Sequence, residues 1–181
     1  MSFTGLSSKG LREFALTIAL TFAISYLLNF VWESVHSVWL YGGHDFGADR
    51  YVQMVCYVSG VDAFIVLGIF LFTSLAWRNA FWIRRMNSMH VLVVLLTGIL
   101  VSGLVEYRAV YVLKEWQYGP NMPIILGIGL SPLVQISVTG LLALWLTGRL
   151  LYRCGPYSIE GAWKEGPGAP PEASLTDKTR G

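Results

Sequence analysis

From Phe14 to Tyr41 the chain reads FALTIALTFAISYLLNFVWESVHSVWLY, an apolar stretch longer than the roughly 20 residues that a helix needs to cross the hydrocarbon of a bilayer. Three more such stretches follow, over residues 52–77, 89–113 and 124–152. The composition agrees, because 54% of the 181 residues are hydrophobic and only 13% are charged, too few to coat a soluble globule of this size. The sequence therefore predicts an all-α integral membrane protein, a bundle of four spanning helices.

The chain divides into three parts by composition. Residues 1–12 form a polar N-terminal segment, residues 13–153 hold the four spans, and residues 154–181 form a tail. The tail includes the run GPGAPP at 166–171 and has too few apolar residues to offset the conformational entropy lost on folding. We therefore predict that the tail is disordered.

Basic residues predict the orientation of the chain. Lys9 and Arg12 precede the first span, Arg149 and Arg153 close the last, and three arginines fill the loop between the second and third spans. The other two loops carry one basic residue each. By the positive-inside rule, both termini are expected in the cytoplasm. The net charge of +2 is too small to indicate a nucleic-acid partner, so the partner that we expect is the lipid bilayer.

Four ionisable side chains interrupt the apolar stretches or lie at their ends: Glu33, His36, Asp62 and Glu106. An ionisable group in hydrocarbon is energetically expensive, so it is usually kept for a function. Glu33 should lie on the order of 12 Å below the outer end of its helix, at about 1.5 Å of rise per residue. The acids of the second and third spans are expected at a similar depth. We predict that these four residues form one catalytic site that opens outward.

Polar and aromatic side chains at the same depth complete this predicted site. Some share a helical face with Glu33, some come from the second span, and some come from the fourth, where nearby glycines and proline are expected to loosen the helix. Trp32 of the first span and two aromatic residues in the short loop before the fourth span are predicted to lie over the pocket as a lid. The residues to which we assign substrate binding are Asn29, Trp32, Ser59, Trp116, Tyr118, Ser131 and Gln135.

Simpler interpretations of the same residues stay open. Polar side chains in membrane bundles often join helices through hydrogen bonds worth about 1 kcal/mol, and interfacial aromatic residues often form a belt at the membrane surface. The Glu33-x-x-His36 spacing also occurs in carboxylate-bridged dimetal bundles, but those sites use the motif twice and this chain has it once. We therefore predict no metal and no cofactor.

A longer pattern links these residues to a family. Asn29-x-x-Trp32-Glu33, Glu106, Trp116-x-Tyr118, Met122-Pro123 and Gly127-x-Gly129-Leu130-Ser131-Pro132-Leu133-x-Gln135 together resemble a family of small polytopic prokaryotic membrane proteins without an assigned activity. The resemblance covers most of the bundle and implies a prokaryotic cell membrane, but it implies no reaction. Membrane sterol isomerases and small terpene cyclases are similar only in chemistry, with few helices, intramembrane acids and tryptophans.

Three functions fit these observations. An enzyme that acts on an isoprenoid or another lipid would use Glu33 or Glu106 as the proton donor and Asp62 or His36 as the base. A proton-coupled transporter would use the same carboxylates as exchangeable proton sites and would need at least a homo-oligomer to build a pathway from four helices. A structural or lipid-binding subunit would use the polar residues only to fix helix packing. We favour the enzyme.

Overall fold

The computed structural model describes residues 7–42 and 47–153. Within them lie four long helices: α1 (Ser8–Leu40), α2 (Ala48–Ala76), α3 (Ser88–Tyr107) and α4 (Leu130–Tyr152). All four are long and apolar enough to cross a membrane, in agreement with the four apolar stretches of the sequence. The cytoplasmic placement of the termini remains a prediction, and the predicted disordered tail at 154–181 lies outside the described residues.

Side-chain caps define where two of the helices begin. The hydroxyl of Ser7 accepts a hydrogen bond from the backbone N–H of Gly10 at 3.3 Å and starts α1 two turns earlier than its apolar stretch. Asn87 and His90 form a reciprocal capping box at the start of α3, with each side chain bonded to the backbone of the other residue. The caps satisfy backbone groups that would otherwise be unpaired at a helix end.

The described connections between helices contain short turns and strands. A 3₁₀ turn at Trp82–Arg85 precedes α3, and a π-helical turn at Arg108–Leu113 follows it. Strand β1 (Tyr41–Gly42) directly after α1 pairs antiparallel with β2 (Gln117–Tyr118) in the connection between α3 and α4. This pairing holds the connection over the end of α1.

The start of the fourth helix differs from the prediction. Residues Ile124–Ile125 form β3 and pair with β4 at Ile128–Gly129, so α4 begins at Leu130 rather than at residue 124. The turn of this hairpin has positive φ at Leu126 and Gly127. Pro132 lies in the first turn of α4, where a missing N–H leaves no helical bond unmade. The glycines and proline therefore shape a hairpin and a helix start, and they do not loosen a helix that is already formed.

The helices pack in the order α2, α1, α4, α3. α1 packs along both α2 and α4, α3 packs along α4, and α2 and α3 touch over a much shorter stretch. We call the end of the bundle where α1 ends and α4 begins the site end, and the opposite end the far end. The hydrophobic core, which includes Phe70, Trp82, Val94 and Leu144, ties α2, α3 and α4 to the 3₁₀ turn.

The buried face of α1 is entirely polar. Its buried residues recur every three or four positions along the whole helix: Glu13, Thr17, Thr21, Ser25, Asn29, Glu33, His36 and Ser37. Most of these side chains meet α4, through pairs such as Thr17 with Tyr152 at 3.1 Å and Thr21 with Thr147 at 3.3 Å. The α1–α4 interface is therefore joined by hydrogen bonds at both ends and in the middle, with apolar side chains left to face outward.

Candidate functional site

A cavity of about 380 Å³ lies between the helices near the site end. Its lining comes from all four helices and from the connection after α3: Glu33, His36, Ser37, Tyr41, Met54, Tyr57, Val58, Asp62, Ile65, Ser102, Val105, Glu106, Glu115, Trp116, Pro132, Gln135 and Ile136. The structure thus brings the four predicted catalytic side chains to one cavity. We call Glu33, His36, Asp62, Glu106 and Gln135 the acid site.

Gln135 of α4 lies at the centre of the acid site. Its side-chain nitrogen lies 2.7 Å from Oε1 of Glu33, 2.8 Å from Oδ2 of Asp62 and 3.2 Å from Oδ1 of Asn29. An amide group has two hydrogens to donate and here meets three acceptor oxygens. The carboxyl groups of Glu33 and Asp62 are therefore held against one shared donor. Two carboxylates that share one neutral donor resist ionising together.

His36 contacts the same cluster from the next turn of α1. Its Nε2 lies 3.3 Å from Oε2 of Glu33, and its Nδ1 lies 3.3 Å from the hydroxyl of Ser131. The hydroxyl of Ser37 approaches Oε2 of Glu33 at 3.3 Å while it donates to the backbone carbonyl of Glu33 at 2.6 Å. Glu33 can thus exchange a proton with an imidazole that is itself fixed by α4.

Glu106 forms a second acidic position in the cavity. Its Oε1 accepts a hydrogen bond from the Tyr41 hydroxyl at 2.6 Å and a longer one from the Trp116 indole nitrogen at 3.3 Å. Both donors come from the paired segments around β1 and β2, so the strand pairing positions them. Two neutral donors on one carboxylate oxygen fix the orientation of the Glu106 carboxyl group in the cavity.

Two tyrosines next to Glu106 lie beyond the helix ends, and both phenols remain neutral. Burial and the neighbouring Glu106 carboxylate raise the pKa of the Tyr41 phenol above its ordinary value. Burial also raises the pKa of Tyr118, whose ring packs on that of Tyr41 with centroids 5.8 Å apart. The Tyr41 phenol therefore stays neutral, and its hydroxyl donates a hydrogen bond to Glu106.

The cavity is bordered by exposed side chains on two sides. Tyr57 of α2 and Val105 of α3 line the cavity and are 74% and 43% exposed, and these two helices contact each other over only a short stretch. Glu115 borders the cavity in the connection above and is also exposed. Because the outward surfaces of α2 and α3 are apolar, an opening between them would face lipid in a membrane.

Some of the predicted substrate-binding residues do not line the cavity. Gln135 and Trp116 line it, while Asn29 and Ser131 lie behind it and hold Gln135 and His36 through hydrogen bonds. Ser59 donates to the carbonyl of Val55 at 2.7 Å and is fully buried in α2. Three of these residues therefore support the helices or the acid site through hydrogen bonds, as in the simpler interpretation in which polar side chains join helices.

The aromatic rings at the cavity are a different set from the one predicted for the lid. Trp116 lines the cavity, and its ring meets that of Tyr41 edge to face at 6.1 Å. Trp32 is not among the cavity-lining residues, and Tyr118 packs behind Tyr41. The prediction did not include Tyr41, whose ring lines the cavity where Trp32 was expected. Tyr41 reaches this position because α1 ends at Leu40 and the chain continues into β1.

Sequence reasoning also missed three polar lining residues: Ser37, Ser102 and Glu115. Ser102 and Glu106 are four residues apart on α3 and so share a helical face, a signal that was readable in the sequence. Glu115 belongs to a loop, where an acid is usually solvated, and no spacing signals its position. Within residues 7–42 and 47–153, no group of three or more His, Cys, Asp or Glu side chains is arranged to hold a metal ion.

No protein-family model, no curated protein and no solved structure matches the chain. The account of its function therefore depends on the geometry of the acid site.

Proposed function

We propose that the protein is a membrane enzyme that carries out acid–base chemistry on an isoprenoid or another lipid. The observation that carries the proposal is the composition of one cavity, which holds four carboxyl groups and an imidazole between apolar walls and is bordered by exposed residues of α2 and α3. Acid and base groups with distinct surroundings in one apolar pocket are the arrangement that proton transfer to and from carbon requires.

The surroundings of the acids suggest a division of roles. Glu33 and Asp62 share the donor Gln135, so this pair holds the proton that is given to the substrate. His36 contacts Glu33 and returns a proton to it after each cycle. Glu106, already bonded by Tyr41 and Trp116, takes a proton from the opposite part of the substrate. The substrate gains one proton and loses another, and the enzyme is restored when Glu106 releases its proton to water and His36 takes one up, so no oxidant or cofactor is needed.

A lipid profile tests the proposal. Membranes from cells that make the wild type are compared with membranes from cells that make Glu33→Gln at equal abundance, with isomers separated by chromatography. A species that appears only with the wild type supports the enzyme and names its substrate class. Asp49→Asn is the matched control, because Asp49 lies in the exposed first turn of α2 outside the cavity lining. Identical profiles for the wild type and Glu33→Gln contradict the proposal.

A second candidate function is a small proton-coupled transporter. The polar face of α1 favours it, because buried polar side chains continue from Glu33 to Glu13 at the far end. Proteoliposomes with a pH-sensitive dye inside test this function. Proton uptake that depends on Glu33 and on a second solute would support transport, while a changed lipid without flux would favour the enzyme.

A further inference from the structure

The Ser102 hydroxyl lies in the wall of the cavity without a hydrogen-bond partner among the described residues. Ser102 is 6% exposed, and its Oγ has no hydrogen-bond partner among the residues that the structure describes. Other buried serines in these helices, such as Ser59 and Ser74, donate to the carbonyl four residues back. A buried hydroxyl without a hydrogen-bond partner is energetically unfavourable. Its position in the lining indicates that the missing partner is a group on a bound molecule.

The charges around the cavity restrict what that molecule is. Apart from two tyrosines, the ionisable side chains in the lining are four carboxyl groups and His36, and neither Lys nor Arg appears in the part of the lining that is described. A phosphate or carboxylate headgroup would meet acids of its own sign with no cation to pair with. The charge pattern therefore disfavours anionic lipids.

The hydrogen-bond pattern also disfavours a quaternary ammonium headgroup. Such a group cannot donate or accept a hydrogen bond, so it would leave the Ser102 hydroxyl unpaired. The oxygens of Glu33 and Glu106 are already approached by Gln135, Ser37, Tyr41 and Trp116. A hydroxyl or carbonyl oxygen on the ligand satisfies Ser102 and needs no counter-ion.

We propose that the acid site binds a neutral amphiphile whose hydroxyl or carbonyl oxygen bonds to Ser102. Its apolar chain extends past Tyr57 and Val105, between α2 and α3. Ser102 lies one helical turn from Glu106, so an oxygen held there places the carbons next to it against the Glu106 carboxylate. This inference rests on the proposed function and adds the class of headgroup that the site recognises.

Photoaffinity labelling tests the headgroup. Purified full-length protein in nanodiscs is irradiated with a prenyl alcohol that carries a diazirine in its chain, and with the phosphate and the trimethylammonium analogues of the same probe. The alcohol should label α2 or α3 near the exposed lining residues, at least tenfold more than the phosphate. Ser102→Ala should weaken alcohol labelling about tenfold, because one hydrogen bond is lost from a buried site.

Ser34→Ala is the matched control for Ser102→Ala. The Ser34 hydroxyl donates to the carbonyl of Phe30, and Ser34 does not line the cavity, so alcohol labelling should not change. Thermal melting of each variant confirms that it is folded before labelling is compared. Preferential labelling by the trimethylammonium probe, or equal labelling of wild type and Ser102→Ala by the alcohol, would overturn the inference.

The two proposals fail in different ways. If the lipid profile shows a product and the Ser102→Ala variant makes as much of it with unchanged alcohol labelling, the headgroup inference is wrong and the enzyme stands. If the wild type changes no lipid but the alcohol labels the cavity in a Ser102-dependent way, the headgroup inference stands and the site is one for binding.

Discussion

The side-chain nitrogen of Gln135 lies 2.8 Å from a carboxylate oxygen of Asp62, although the two residues come from different helices and are 73 positions apart. The same nitrogen lies 2.7 Å from Glu33. One neutral amide of α4 thus holds an acid of α1 beside an acid of α2. Because these contacts are buried, the loss of the amide would leave both carboxyl groups without their common donor.

Removing this amide should disable the acid site. Gln135→Met keeps the length and volume of the side chain but cannot donate, so we expect at least a tenfold loss of the lipid product and a lower melting temperature. Gln117→Met removes an exposed amide from β2 and should change neither quantity. Activity of Gln135→Met equal to that of the wild type would show that the shared donor is not needed.

The close approach of α3 and α4 should make Gly98 intolerant of a side chain. A Cβ at this position would lie 2.9 Å from the Cα of Ser137, a backbone atom that cannot move by itself. Gly98→Ala should therefore lower the free energy of unfolding by about 1–3 kcal/mol. Gly68→Ala is the control, because a Cβ at residue 68 of α2 meets nothing within 4 Å. Thermal unfolding in detergent measures both, and equal stabilities would contradict the close packing.

The ion pair at the far end should respond unequally to loss of its two partners. Glu13 is 5% exposed and pairs with Arg84, whose side chain is 44% exposed. Burial alone would lower the pKa of Arg84, but the hydrogen bond and charge of Glu13 raise it, so the guanidinium stays charged. Arg84→Met leaves a buried acid unpaired and should destabilise the fold by about 2 kcal/mol. Glu13→Gln leaves a cation that can turn to water and should cost about 0.5 kcal/mol.

The measurement for this pair is thermal unfolding of the two single variants and of the double variant. The double variant should be more stable than Arg84→Met alone, because no buried charge is left. If Glu13→Gln destabilises the fold more than Arg84→Met does, Glu13 is not held by this pair.

The hairpin before α4 should lie at the membrane surface with its tip in lipid. Leu126 at the tip is 99% exposed, and the Tyr111 hydroxyl on the turn after α3 bonds to the carbonyl of Gly127. Open strand edges are not tolerated deep in hydrocarbon, and an exposed leucine is disfavoured in water. The membrane–water interface is therefore the place that fits both the strand edges and Leu126. A spin label on Leu126→Cys, with Cys56 and Cys154 replaced by serine, should collide more with oxygen than with a water-soluble nickel complex.

A label on Asn121→Cys in the same connection is the control for the hairpin. Asn121 is exposed and polar, so this label should collide mainly with the nickel complex. If both labels collide mainly with the nickel complex, the hairpin lies in water and the prediction is wrong.

The spans could be predicted because length and hydropathy alone limit a membrane helix. A common site for Glu33, Asp62 and Glu106 could be predicted because helical rise fixes the depth of each residue below the end of its helix. The rotation of each helix was not fixed by depth, which is why Trp32 was assigned to the lid in place of Tyr41. Hydropathy also cannot distinguish an apolar hairpin from a helix, so the β3–β4 hairpin was included in the fourth span. Strand pairing between Tyr41 and Tyr118 joins residues far apart in the sequence, and no local signal predicts it.

Deuterium transfer tests the central claim most directly. Purified wild-type protein is incubated in D₂O with the total lipid extract of its host membrane, and the neutral lipids are analysed by mass spectrometry. If the acid site moves protons to and from carbon, one lipid species should gain deuterium at carbon with the wild type but not with Glu33→Gln, whereas Asp49→Asn should behave as the wild type. Absence of carbon-bound deuterium with the folded wild type, or equal incorporation with Glu33→Gln, would contradict the account.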